Sequence, residues 1–223
     1  MSWEQFEHGW RLAPATLSTG AAAKPRALVV LLHGVGSNAR DLMPLADIWR
    51  ETLPDAGFVS LNGSEPFDGG FDGRQWFSLR DVTPANRTGR VEAAYPALLT
   101  MLQNELAHWH LGFSELALVG FSQGSIMSLH HVATNPAGAA VVVAYSGRLA
   151  SPVVAQSRTP LTLVHGEEDA VIPVQETEQA AIAFSDAGYP VEAYALPGIG
   201  HTISGDGAML GRDALARAFS GAV

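Results

Sequence analysis

Apolar residues along this chain occur in two kinds of run. Short continuous runs stand at residues 27–32, 57–61, 115–120, 139–145 and 161–165, each close to a Gly or Pro. A run of this length with no polar alternation predicts a strand buried on both faces. A further strand is predicted at 191–195. Between these runs the apolar positions recur at helical spacing. Residues 42, 45, 46, 48, 49 and 53 predict a helix over 41–53. Residues 91, 94, 95, 98, 102, 106 and 109 predict one over about 90–110. Helices are also predicted over 122–135, where Pro136 stops the turn, over 174–187, which Gly188 ends, and over 207–219. Strands alternating with helices imply an α/β fold, with a mostly parallel sheet and helices on both faces. In such sheets ligands bind beyond the carboxyl ends of the strands.

Two stretches interrupt this rhythm. Residues 21–25 read as a short loop. Residues 62–89 are long, irregular and rich in Gly, Asp and Pro, yet they carry Trp76 and Phe77. A loop of that length inside a compact domain is usually functional or disordered, and two large aromatic residues favour a packed loop beside a site. No repeat or linker divides the chain, so residues 1–223 are expected to form one domain.

Composition narrows the chemistry. With no cysteine, a thiol nucleophile, a Cys-type zinc site and an iron–sulfur cluster are excluded. The net charge is −9, and the 13 Lys and Arg are scattered, so no nucleic-acid partner is expected. No apolar run approaches the length of a membrane span, and no secretory signal is evident at the start, so the cytoplasm is the expected compartment. No cofactor or metal is expected, and the oligomeric state is left open.

The sharpest motif is Gly120-Phe121-Ser122-Gln123-Gly124, a G-x-S-x-G between a predicted strand and a predicted helix. That context holds a serine hydroxyl on a strained turn at a helix N-terminus. The hydroxyl needs a base. Of the eight histidines, His108, His110, His130 and His131 lie on helices and read as packing or surface residues. His201 lies in a Gly-rich loop after the last strand, where its imidazole can reach Ser122. The residue that orients the imidazole should come from the loop after residue 165, where Glu167, Glu168 and Asp169 all compete. With Asp169 the chain order Ser, Asp, His is that of α/β-hydrolases. An oxyanion requires two N–H donors. Gln123, after the serine, is one; Val35, in the loop Leu32-His33-Gly34-Val35-Gly36, is the other choice. Arg148, after Ser146 and Gly147, is placed near the cleft as a candidate partner for a substrate carboxylate.

The segments His33-Gly34-Val35-Gly36, Gly120 through Gly124, His165 through Pro173, and Gly198-Ile199-Gly200-His201 resemble four blocks of the phospholipase/carboxylesterase family, which includes the acyl-protein thioesterases. Arg74-Gln75-Trp76-Phe77, with Glu65, Pro66 and Arg80, is most similar to small bacterial esterases of that family. The resemblance implies an α/β-hydrolase fold with no large cap domain. It implies Ser122 as nucleophile, Asp169 as acid, His201 as base, Val35 and Gln123 as oxyanion donors, and Trp76 and Phe77 bordering the acyl group. The chain departs from the family pattern at Ser37-Asn38, Ser78 and Ser125, none of which is one of the three catalytic positions.

The expected reaction is cleavage of short to medium acyl esters, or thioesters, through an acyl-enzyme. Two rivals are a catalytically silent binding module of the same fold and a metal-dependent hydrolase. The second lacks an H-E-x-x-H or similar ligand cluster in the sequence.

Overall fold

A computed structural model describes residues 2–17 and 24–220; residues 21–23 of the loop read at 21–25 lie outside the described residues. The strands are β1 (Glu4–Phe6), β2 (Gly9–Leu12), β3 (Ala27–Leu32), β4 (Ala56–Leu61), β5 (Glu65–Pro66), β6 (Arg74–Gln75), β7 (Leu116–Phe121), β8 (Val141–Tyr145), β9 (Leu161–Gly166) and β10 (Val191–Leu196). The helices are α1 (Met43–Trp49), α2 (Arg87–Trp109), α3 (Gln123–Thr134), α4 (Gln175–Asp186) and α5 (Gly205–Ser220). Eight strands form one sheet in the order β1-β2-β4-β3-β7-β8-β9-β10, parallel from β4 to β10. The β1–β2 and β2–β4 pairs are antiparallel.

The central strands are apolar throughout because both faces are covered. Side chains alternate along a strand. Thus Leu28, Val30 and Leu32 of β3 join Leu118 of β7 and Val142 of β8 in one core, closed by Leu102 of α2, Met127 of α3 and Phe184 of α4. The intervening Val29, Leu31, Val119 and Val143 join the opposite core, closed by Trp49 of α1 and Leu215 of α5. Each fully buried Leu or Val on either face contributes roughly 1.5–3 kcal/mol. The result is an α/β-hydrolase architecture without a large cap domain. Among the described residues no helix is long and apolar enough to cross a membrane.

Several details differ from the pattern-based expectation, among them the end of α1 at Trp49 rather than 53. α1 begins at Met43 rather than 41, because Pro44 occupies its first turn, where a missing N–H does no harm. β8 begins at Val141 rather than 139, because the Ala139 N–H is taken by the Thr159 hydroxyl. β1 and β2 were not foreseen, since strands of three and four residues carry no apolar run. The segment 62–89 is packed only in part: residues 73–78 are covered, whereas Phe71 and residues 83–86 are exposed and α2 already begins at Arg87. β5 and β6 pair as a small antiparallel ladder, Arg74 donates to the carbonyls of Gly63 and Ser64, and Trp76 and Phe77 are buried.

The chain leaves β3 toward β4 on one side and reaches β7 on the other. The strand order therefore reverses between β3 and β7, and a crevice opens at their carboxyl ends.

Candidate active site

Ser122 follows β7 and caps α3 with φ 53° and ψ −113°. A non-glycine residue in such a sparsely populated region costs about 1–3 kcal/mol and persists only where its surroundings impose it. Here the Ser122 N–H donates to the Tyr145 carbonyl at 2.9 Å, and the Ser122 carbonyl accepts from Ile126 at 3.1 Å. The flanking glycines are required by close approach. A β-carbon on Gly124 would collide with the Leu32 carbonyl, and one on Gly120 with the backbone of Gly124 and Ser125. α3 can therefore begin directly against β3 and β7, which presents the Ser122 hydroxyl at the sheet edge.

His201 Nε2 lies 3.0 Å from Ser122 Oγ, and His201 Nδ1 lies 2.6 Å from Asp169 Oδ2. Asp169 is buried, whereas Glu167 and Glu168 are exposed, so of the three competing carboxylates the fold brings Asp169 to the imidazole. Asp169 Oδ1 accepts the N–H groups of Val171 and Ile172, each at 2.8 Å. Its Oδ2 also lies 3.1 Å from His165 Nε2. That nitrogen is 2.7 Å from the Ile172 carbonyl as well, so it faces two acceptors and must be the donor. Burial alone would raise the Asp169 pKa. The bonds from His201, Ile172 and Val171, with the His201 charge, outweigh it and hold the carboxyl below its ordinary value. An ionised Asp169 accepts from Nδ1–H of His201, which leaves Nε2 as acceptor for the Ser122 hydroxyl.

The second partner of Asp169 was missed in the sequence. His165 stands four residues before Asp169 in the same block, and that spacing was the available signal.

Ser122, Gln123 and Val35 line one pocket of about 170 Å³. The Gln123 N–H opens α3 and has no carbonyl four residues back to bind. Neither it nor the Val35 N–H donates to any described residue. Phe77 lines this pocket and Trp76 does not. Trp76 is buried behind it, its indole N–H donating to the His33 carbonyl at 2.9 Å, so it supports the β3 loop rather than bordering the pocket. The Gln123 side chain joins the two halves of the site. Its Oε1 accepts the Trp76 N–H at 2.8 Å and its Nε2 donates to the Phe77 carbonyl at 2.7 Å. Arg148 lines the pocket and pairs with Glu176 at 3.3 Å. Arg87, which the sequence reading passed over, lines it too. A second cavity of about 420 Å³ is lined by His201 but not Ser122, with Leu42, Leu45, Ile48 and Phe121 among its walls.

The helical histidines behave as packing or surface groups. His108 and His110 are exposed. His130 and His131 are buried, bonded to Ser151 and to the Gly138 carbonyl respectively. Burial, then the neighbouring His131 charge, pushes the His130 pKa down to about 4.

Comparison with known proteins agrees with this architecture. The family model described as Phospholipase/Carboxylesterase matches residues 18–215. Esterase YpfH of Escherichia coli is 37% identical over 177 residues, covering 79% of this chain and 76% of that protein. Acyl-protein thioesterase 1 of Gibberella zeae is 26% identical over 213 residues, covering 86% and 89%. Among solved structures, esterase PE8 superposes with a TM-score of 0.84 at 32% identity, covering 94% of this chain and 98% of its own.

Proposed function

Because this chain belongs to the phospholipase/carboxylesterase family of serine hydrolases, we propose that it cleaves carboxylic esters, or thioesters, of short to medium acyl chains through an acyl-enzyme on Ser122. The observation that carries the reading is the unbroken contact chain from Ser122 Oγ through His201 to Asp169, beside two N–H groups with no acceptor.

In this mechanism Ser122 Oγ attacks the carbonyl carbon while its proton passes to His201 Nε2. Asp169 holds the imidazole in the required tautomer and stabilises its protonated form without taking the proton. The N–H groups of Val35 and Gln123 receive the oxyanion. His201 then returns the proton to the departing alcohol or thiol. Water attacks the acyl-enzyme with His201 again as base, which releases the carboxylic acid and restores Ser122. The leaving group must sit where His201 can protonate it. This assigns the alcohol to the second, largely apolar cavity and the acyl chain to the pocket shared by Ser122, Val35 and Gln123. Phe77 forms part of the acyl wall. The substrate is a small molecule, the residues 1–223 act as one domain, and the expected compartment is the cytoplasm; no nucleic acid takes part.

A fluorophosphonate probe should label wild-type protein at Ser122. Ser122→Ala should abolish labelling and lower kcat by roughly 10⁶-fold. Retention of a tenth of the activity in that variant would overturn the nucleophile assignment. A graded series of p-nitrophenyl esters and acyl-thioesters then sets the chain length.

A further inference from the structure

The acyl pocket is apolar in its walls and cationic at one side. Val35, Phe77, Leu79 and Ile126 give it hydrocarbon surface, and two arginines, Arg87 and Arg148, line it with them. One carboxylate answers the two cations: Glu176 lies 3.3 Å from Arg148 Nη1. The Arg87 guanidinium makes no hydrogen bond or ion pair with any described residue. Arg87 is thus left without an ion-pair partner among the described residues, the other nearby carboxylate, Asp169, being engaged by His201 and by the Val171 and Ile172 N–H groups, in a chain whose net charge is −9. Arg148 is mostly covered, with 13% of its side chain exposed. Burial lowers its pKa, Glu176 raises it and the charge of Arg87 lowers it again, so the two cations interact with each other as well as with the acid.

Half-buried arginines beside a reactive serine have a chemical use. A guanidinium presents paired N–H donors that match a carboxylate, and its bonds strengthen where water is thinned out. The pocket is small, about 170 Å³. That suits a short chain with a charged end better than a long alkyl tail.

We propose that the acyl group this enzyme prefers carries a terminal carboxylate, so that its substrates are half-esters or half-thioesters of short dicarboxylic acids, held by Arg87 and Arg148. The proposal rests on the acyl-enzyme reading above and deepens it by naming the substrate class. Ser122 attacks the esterified carbonyl, the free carboxylate stays ionised against the two guanidiniums, and the dicarboxylate leaves after water attack.

The test compares monoethyl glutarate with its uncharged isostere ethyl 5-methylhexanoate, following proton release at constant pH. The wild-type enzyme should favour the half-ester in kcat/KM by about tenfold or more, as expected for a charge-assisted bond to a ligand carboxylate. That preference should decline with added salt. Arg87→Gln should reduce the preference ratio by about tenfold, and Arg87→Lys should restore part of it. Arg148→Gln should act in the same direction; because Arg148 also holds Glu176, Arg87→Gln is the decisive variant if Arg148→Gln does not fold. Equal kcat/KM for the two esters, with Ser122 still labelled by the fluorophosphonate, would overturn the proposal and leave the esterase reading intact. Preference for O-pentanoylglycolate, which carries its charge on the alcohol side, would overturn the placement of the carboxylate. Failure to hydrolyse either ester, with Ser122 unlabelled, would overturn both readings.

Discussion

Replacing Gln123 by Leu tests whether the long segment 62–89 is held to the nucleophile turn by a single side chain. Gln123 is 2% exposed, and its amide satisfies the N–H of buried Trp76 and the carbonyl of buried Phe77. Leu keeps much of the volume and leaves the backbone N–H of residue 123 in place, so the proposed oxyanion donor survives. It strands one buried donor and one buried acceptor. At about 1–3 kcal/mol for each orphaned group, the loss is roughly 2–6 kcal/mol. For a chain of this size, one kcal/mol moves Tm by about 2–4 °C, so a fall of about 4–24 °C is expected in thermal unfolding. The functional effect follows the same path. Phe77 forms a wall of the acyl pocket, and loosening its backbone should raise KM for a short-chain p-nitrophenyl ester more than it lowers kcat. A Tm shift below about 2 °C together with an unchanged KM would refute the idea that this amide ties the segment to the turn.

Asp169→Asn should lower kcat on the order of 10⁴-fold, whereas Glu168→Gln, at an exposed position, should change it less than about threefold; steady-state kinetics giving the reverse ranking would move the acid role. His165→Leu removes the buried imidazole that bonds the Ile172 carbonyl and the Thr177 hydroxyl and should destabilise the fold by about 1–3 kcal/mol in urea unfolding, with His165→Gln nearer wild type; equal midpoints for the two variants would deny those bonds their importance. His130 has its folded pKa pushed from 6.5 down to about 4, so the unfolded chain binds its proton first as the solution is acidified. Stability from this group is whole above pH 7 and is lost between about pH 7 and 4, reaching roughly 2 kcal/mol by pH 5. His130→Asn should flatten the dependence of the urea midpoint on pH over that interval, and an unaltered slope would count against it.

The parts of this molecule that were legible in the sequence are those whose physics is local. A run such as 27–32 can only be a strand covered on both faces, and the alternation of its side chains between two cores follows from strand geometry. The order of strands and helices then forces a parallel sheet, and the sheet forces the site to its carboxyl edge. Gly120 and Gly124 announce a turn in which backbone segments nearly touch, and Ser122 between them takes the positive φ that such a turn imposes.

The illegible parts depend on partners far away in the chain. Trp76 and Phe77 stand side by side, and no local rule separates them, yet one supports the His33 carbonyl and the other faces the pocket. Gln123, 46 positions beyond Phe77, fixes the backbone that carries both rings, its amide bonding the Trp76 N–H and the Phe77 carbonyl. Arg87 shows the same limit from another side. As the first residue of α2 it reads as an ordinary surface charge; it becomes part of the acyl pocket only because α2 starts beside the loop after β8 that carries Arg148. A charge at a helix start and a charge after a strand have no sequence relation to each other. Their mutual interaction exists only once the sheet has set their spacing, and Glu176 pairs with Arg148 alone. The esterase family was therefore readable from motifs, whereas the proposed substrate preference rests on contacts that the sheet assembles.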